Sequence, residues 1–154
     1  KTNLVSWWGL DSGVGDVITH VADENGGLLG SELVVNDDWT AGGDGAPTFN
    51  GDKSVITFSS DSEDSWVQIS SIIPAGKVYK FSYTIDSYTT GGLGVWHTTA
   101  SNFITMPVTV GEHSLYIQGR TSGNLLIDDT PDDTELVISN ISCKEVSGNY
   151  GRLI

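Results

Sequence analysis

The 154-residue sequence is poor in cysteine, in basic residues and in long apolar runs, and each shortage removes a class of protein. Cys143 is the single cysteine, so no disulfide can form within the chain and stability must come from a buried core. Seven Lys and Arg stand against 20 Asp and Glu, a formal net charge of −13. Such a field repels phosphate backbones and anionic headgroups, so neither nucleic acid nor a membrane surface is an expected partner. No apolar run approaches the ~20 residues of a membrane-spanning helix, and no membrane insertion is expected. Catalytic signatures are missing too. There is no HExxH or Cys/His cluster for zinc among His20, His97 and His113, and no G-x-S-x-G elbow. Gly13-Val14-Gly15 lacks both the third glycine and the helix of a phosphate cradle. Glycoside hydrolysis would need two carboxylates facing each other across a cleft, whereas most acids here lie in polar loops. The expectation is a protein that is not an enzyme.

What the chain does contain is strand signal. Nineteen glycines, five tryptophans and 38% hydrophobic residues suit a turn-rich all-β domain. The clearest stretch is Gly76 to Asp86, in which Tyr79, Phe81, Tyr83 and Ile85 alternate with Lys80, Ser82, Thr84 and Asp86. That is the period of a strand with one dry face and one wet face. Such a strand needs neighbours on both edges and a second layer over its dry side, which predicts an antiparallel β-sandwich. Further strands are expected at 32–35, 54–58, 66–70, 93–98, 102–106, 111–118, 124–128 and 135–146. In the last, Leu136 and Ile138 occupy even positions while Ile141 and Cys143 occupy odd ones. A bulge near Ser139-Asn140 would keep both pairs inward, and Cys143 is then a buried thiol. Residues 1–30, with Trp7-Trp8, read as an N-terminal arm that docks on the sandwich or on a neighbouring subunit. Residues 31–146 are the sandwich and 147–154 a C-terminal tail. The first residue is Lys1, which is what a fragment or a processed product would show.

Alternation also selects a candidate face. If Val67 and Ile69 point inward, Trp66 and Gln68 point outward; likewise Trp96 beside Leu93 and Val95, and Tyr116 and Gln118 beside Leu115 and Ile117. Sugar rings stack their C–H faces on flat aromatics, and their hydroxyls suit amides that donate and accept. Trp66, Gln68, Trp96, Tyr116 and Gln118 are therefore the candidate glycan-binding residues. The competing interpretation is that these aromatics cover a second sheet, lie under the arm or line an oligomer interface. Acids cluster at Asp37-Asp38, Asp61-x-Glu63-Asp64, Asp128-Asp129 and Asp132-Asp133-x-Glu135. No catalytic cofactor is expected. A structural Ca2+ at a loop or strand end is the metal such clusters would suit, with solvated loops as the alternative.

The order of signals resembles the jelly-roll, carbohydrate-binding-module-like domains of bacteriophage virion proteins, especially tails and other surface appendages. The matching pieces are the opening strand, Trp39-Thr40, the strand ending in Phe58, Val67-Gln68-Ile69, Ala75-Gly76-Lys77-Val78-Tyr79-Lys80, Gly92-Leu93-Gly94-Val95 and the closing strand Ile138 to Val146. The resemblance covers about Ser31 to Val146. It implies a jelly-roll sandwich, non-catalytic glycan binding and a place on the virion surface, outside the cell. Its alternative is a structural decoration or appendage domain whose partners are other virion subunits, with a homo-oligomer such as a trimer. The closing strand of these domains often carries an acid before the Asn; this chain has Ser139 there.

Overall fold

A computed structural model describes residues 28–59, 64–97, 103–130 and 133–147. Eleven strands are present among them: β1 (Leu28–Glu32), β2 (Thr40–Gly43), β3 (Thr48–Phe49), β4 (Val55–Phe58), β5 (Ser65–Ile69), β6 (Val78–Thr90), β7 (Leu93–Trp96), β8 (Phe103–Met106), β9 (Gly111–Gln118), β10 (Leu125–Asp129) and β11 (Glu135–Ser147). They form two antiparallel sheets. The first has the order β3-β4-β11-β6-β9, with β1 also paired to β11, and the second β2-β5-β10-β7-β8. The chain alternates between the sheets so that β11 returns between β4 and β6, and β10 between β5 and β7. This is a jelly-roll sandwich.

The organising strand behaves as its alternation requires. Tyr79, Phe81, Tyr83 and Ile85 are all buried, β11 lies along one edge of β6 and β9 along the other. Facing them across the sandwich are Val67, Ile69, Leu93, Val95, Leu125 and Ile127, also buried. The two tyrosines keep their hydroxyls satisfied by donating to backbone carbonyls, Tyr79 to Pro74 at 3.2 Å and Tyr83 to Pro107 at 2.8 Å. Trp39, expected beside the opening strand, is 1% exposed and is part of the same core. His113, across from Tyr83, packs its ring 5.4 Å from the tyrosine ring and makes a 2.6 Å contact to the Thr109 carbonyl.

The expected bulge is present. The β11–β6 register slips between Ser139 and Ser142, Asn140 adopts φ +49°, and Leu136, Ile138 and Cys143 are all buried. Ile141, partly buried, packs against the core. The opening strand differs: it spans Leu28–Glu32 rather than 32–35. Glu32 explains the stop, because its Oε1 accepts the backbone N–H of Leu33 and Val34 at 3.1 Å and of Cys143 at 2.8 Å. Leu33 N–H also donates to Cys143 O at 2.9 Å, so the ladder runs one bond past Glu32 before the carboxylate takes the Val34 and Cys143 donors. Two strands absent from the expectation, β2 and β3, lie between the opening strand and the strand ending in Phe58. Of the proposed arm, residues 1–27 lie outside the described residues, as do 148–154 of the tail.

Three groups in this core favour their neutral forms. Burial, then the charge of Glu32, lifts the Cys143 thiol to about 12, and burial lifts the Tyr79 phenol to about 12. Tyr83 is raised further by burial alone. In the unfolded chain these groups ionise from about pH 8.5 for the thiol and pH 10 for the phenols. Their contribution is thus complete below that range and is lost as pH climbs towards 12. Urea midpoints measured between about pH 8 and pH 11 should fall steadily, and less steeply in Cys143→Ala. At neutral pH a thiol reagent should label Cys143 only as fast as the domain opens.

Candidate functional site

The outer face of the β2-β5-β10-β7-β8 sheet carries a row of residues across its strands. Register places Gly42, Trp66, Asp128 and Gly94 side by side on β2, β5, β10 and β7. Each lies between inward-facing neighbours such as Val67, Ile127 and Val95, so all four point outward. The next row, two residues along each strand, holds Thr40, Gln68, Leu126, Trp96 and Phe103.

Two glycines shape the first row. A Cβ on Gly42 would stand 2.1 Å from Cζ2 of Trp66, so the indole lies across β2 in the space a side chain would fill. A Cβ on Gly94 would stand 2.7 Å from Cδ2 of Phe103, so that ring leans across β7 in the same way. Bare backbone thus receives a ring at both ends of the row. The rings are separated by three strand spacings, roughly 14 Å, with the Asp128 carboxylate between them.

Polar groups border the rings. Trp96 donates its indole N–H to Oδ2 of Asp128 at 2.8 Å, and its ring lies 5.8 Å from that of Phe103. The Arg120 guanidinium is 5.6 Å from the Trp96 ring centre. Asn124 donates its amide to Oε1 of Gln68 at 3.2 Å while its own carbonyl accepts the Ser71 N–H. Asn124 and Arg120 reach this face from the β9–β10 loop.

The five candidate residues do not share one surface. Trp66, Gln68 and Trp96 meet on this face, whereas Tyr116 and Gln118 belong to β9 of the other sheet, opposite Lys80 and Val78. Two sheets packed back to back turn their outer faces in opposite directions, so the five-residue set divides three and two. Beside Tyr116, the second outer face holds a groove of about 460 Å³ lined by Lys80, Ser82, Thr84, Glu112, Ser114 and Asn140. Trp96 also differs from the simple expectation, since Arg120 and Phe103 sit against its ring. Sequence reasoning passed over Phe103, Asn124 and Arg120, and it took Asp128 as part of an acidic cluster suited to calcium rather than as a member of this face. For Asp128 a signal existed, because it alternates with Leu125 and Ile127 as Trp66 does with Val67.

Carboxylate oxygens of Asp64, Asp128 and Asp129 lie within 4.8 Å of one another. Asp129 is 5% exposed and accepts the Ser65 N–H at 3.0 Å. These acids come from two of the four sequence clusters and sit at strand ends. Three carboxylates supply part of the six to eight oxygens of a calcium shell, and backbone carbonyls or water would have to complete it. Ser139 is buried in the other sheet.

The fold and this face define the class: an antiparallel jelly-roll sandwich with an aromatic row on one sheet. No protein-family model and no curated protein matches the sequence. Among solved structures, the chain is similar to the CBM22-1–GH10 modules of xylanase 10B from Clostridium thermocellum, determined with xylohexaose, at 19% identity and a TM-score of 0.48. It is similar to the enzymatically active domain of tailspike protein 4 of bacteriophage CBA120 at 11% identity and a TM-score of 0.45, and to the carbohydrate-binding module CBM29-2 at 10% and 0.44. These alignments cover 79%, 71% and 76% of this chain. They cover 28%, 20% and 90% of the respective matched chains, so the chain spans under a third of the first two. All are likenesses of chain path, and the ligand question rests on the residues of the face itself.

Proposed function

We propose that this domain binds an oligosaccharide, without hydrolysing it, along the row Trp66–Asp128–Phe103. The observation that carries this reading is the pair of rings received by Gly42 and Gly94 at either end of a carboxylate. Apolar C–H faces of two pyranose rings can rest on Trp66 and Phe103, while the Gln68–Asn124 amides take hydroxyls from the intervening units and Asp128 holds the Trp96 indole by its N–H. A separation of roughly 14 Å suits several linked sugars better than one. Phe103 is 44% exposed, an apolar surface that gains by being covered.

The setting we propose is a virion surface appendage outside the cell, supported by the order of strand signals from Ser31 to Val146. A purely structural domain that assembles with other virion subunits is the alternative outcome of the test.

The test is a glycan-array screen of the folded chain, with and without calcium, followed by titration of the hits. Specific oligosaccharide binding is expected, and Trp66→Ala should weaken it by about tenfold to a hundredfold, the value of one stacked ring. Binding only to monosaccharides, or hits indifferent to Trp66→Ala, would remove the row from the site. A blank array from a folded protein that self-associates with concentration would establish the assembly reading instead.

A further inference from the structure

Among the described residues Arg120 is the cation on this face, and two loops hold its backbone in place. Its backbone is clamped between two loops: Arg120 N–H donates to Ile73 O at 3.0 Å, Ile73 N–H to Gly123 O at 2.7 Å, and Gly123 N–H to Arg120 O at 2.9 Å. A parallel bridge joins Arg120 to Pro74, and Gly119 presses against the Pro74 carbonyl. The side chain leaves this clamp and lies against the Trp96 ring.

Among the described residues no acid answers its charge. Lys53 donates to the Asp37 and Trp39 carbonyls, Lys77 pairs with Glu145 at 2.6 Å, and Lys144 lies 4.0 Å from Glu32. The Arg120 guanidinium has no oxygen partner among the described residues, in a chain with 20 acids. Partial burial lowers its pKa, a sign that water does not fully replace the missing partner. A guanidinium has five donors in a planar fork, matched to the two oxygens of a carboxylate.

We propose that the glycan recognised here carries a carboxylate, that of a uronic acid unit, and that Arg120 receives it at the Trp96 end of the row. This rests on the glycan reading above. The same acidic charge limits the ligand further. A continuous polyuronate would be repelled by a net charge of −13. An isolated acidic sugar on a neutral backbone brings its charge to Arg120 alone, and beyond about 8 Å physiological salt screens the rest.

The probes are xylohexaose, cellohexaose and mannohexaose, each beside a counterpart bearing a single glucuronic acid, titrated into wild type, Arg120→Gln, Arg120→Lys and Trp66→Ala. The wild type is expected to prefer at least one acidic member over its neutral parent by about tenfold or more, as befits a charged hydrogen bond. Arg120→Gln should abolish the preference, bringing the acidic member's affinity to that of its neutral parent, and Arg120→Lys should recover part of it. Equal binding of acidic and neutral members, lost in Trp66→Ala but unmoved in Arg120→Gln, overturns this inference and leaves the glycan reading intact. No binding of any probe by the folded wild type, with an empty array, overturns both.

Discussion

Gly42→Ala is expected to weaken glycan binding by about tenfold to a hundredfold, nearly as much as removing the tryptophan itself. The substitution touches no group proposed to meet a sugar. Its methyl would stand 2.1 Å from Cζ2, 2.5 Å from Cη2 and 2.6 Å from Cε2 of Trp66, closer than non-bonded carbons approach. The atoms in the way belong to the far end of a side chain, so the indole can rotate off the strand. Since β2 lies at the edge of its sheet, stability should fall by no more than about 1 kcal/mol. Calorimetric titration beside a thermal melt checks both halves. Retained affinity at an unchanged melting temperature would mean that the seat of the ring is irrelevant to binding.

Gly119→Ala is expected to do the reverse, lowering stability by about 3 kcal/mol, as overpacking without relief does. Here the new Cβ would meet the Pro74 carbonyl oxygen at 1.9 Å, its carbon at 2.6 Å and the Ile73 carbonyl oxygen at 2.7 Å. These are backbone atoms, held by the bonds that join the β5–β6 loop to the β9–β10 loop, and no rotamer change moves them. Either the clamp opens or the strain stays. Opening it would release Arg120, so the preference for an acidic sugar should decline together with stability. For a domain of this size the melting temperature should drop by roughly 10 °C. A melt within a degree or two of wild type would show that the two loops are freer than their hydrogen bonds indicate. Two glycine-to-alanine changes with almost equal clash distances thus separate the face from the fold, because one meets a side chain and the other meets backbone.

Much of this architecture can be read from the order of residues alone. A period of two in Tyr79, Phe81, Tyr83 and Ile85 is enough to say which side of β6 is dry, because successive side chains on a strand must point to opposite faces. The phase change between Ile138 and Ile141 likewise requires an extra residue, and the Asn140 bulge is that residue. By the same local rule Trp66, Gln68 and Trp96 face outward.

What alternation cannot say is which sheet a strand joins. Outward on β9 and outward on β5 are opposite directions in space, and the choice depends on partners far away in sequence. Tyr116 on β9 pairs with Lys80, whereas Trp66 on β5 pairs with Gly42 on one side and Asp128 on the other. Only the completed pairing therefore separated Tyr116 and Gln118 from the face. The same pairing set Gly42 beside Trp66 and Gly94 beside Asp128, and it brought Phe103 over Gly94 from β8. Arg120 required one step more: it reaches Trp96 because two loops lock together at Gly119 and Pro74. Local chemistry determined the strands, their dry sides and the presence of aromatics on the wet ones. Long-range hydrogen bonding decided which aromatics share a surface, since register is a property of two strands and never of one.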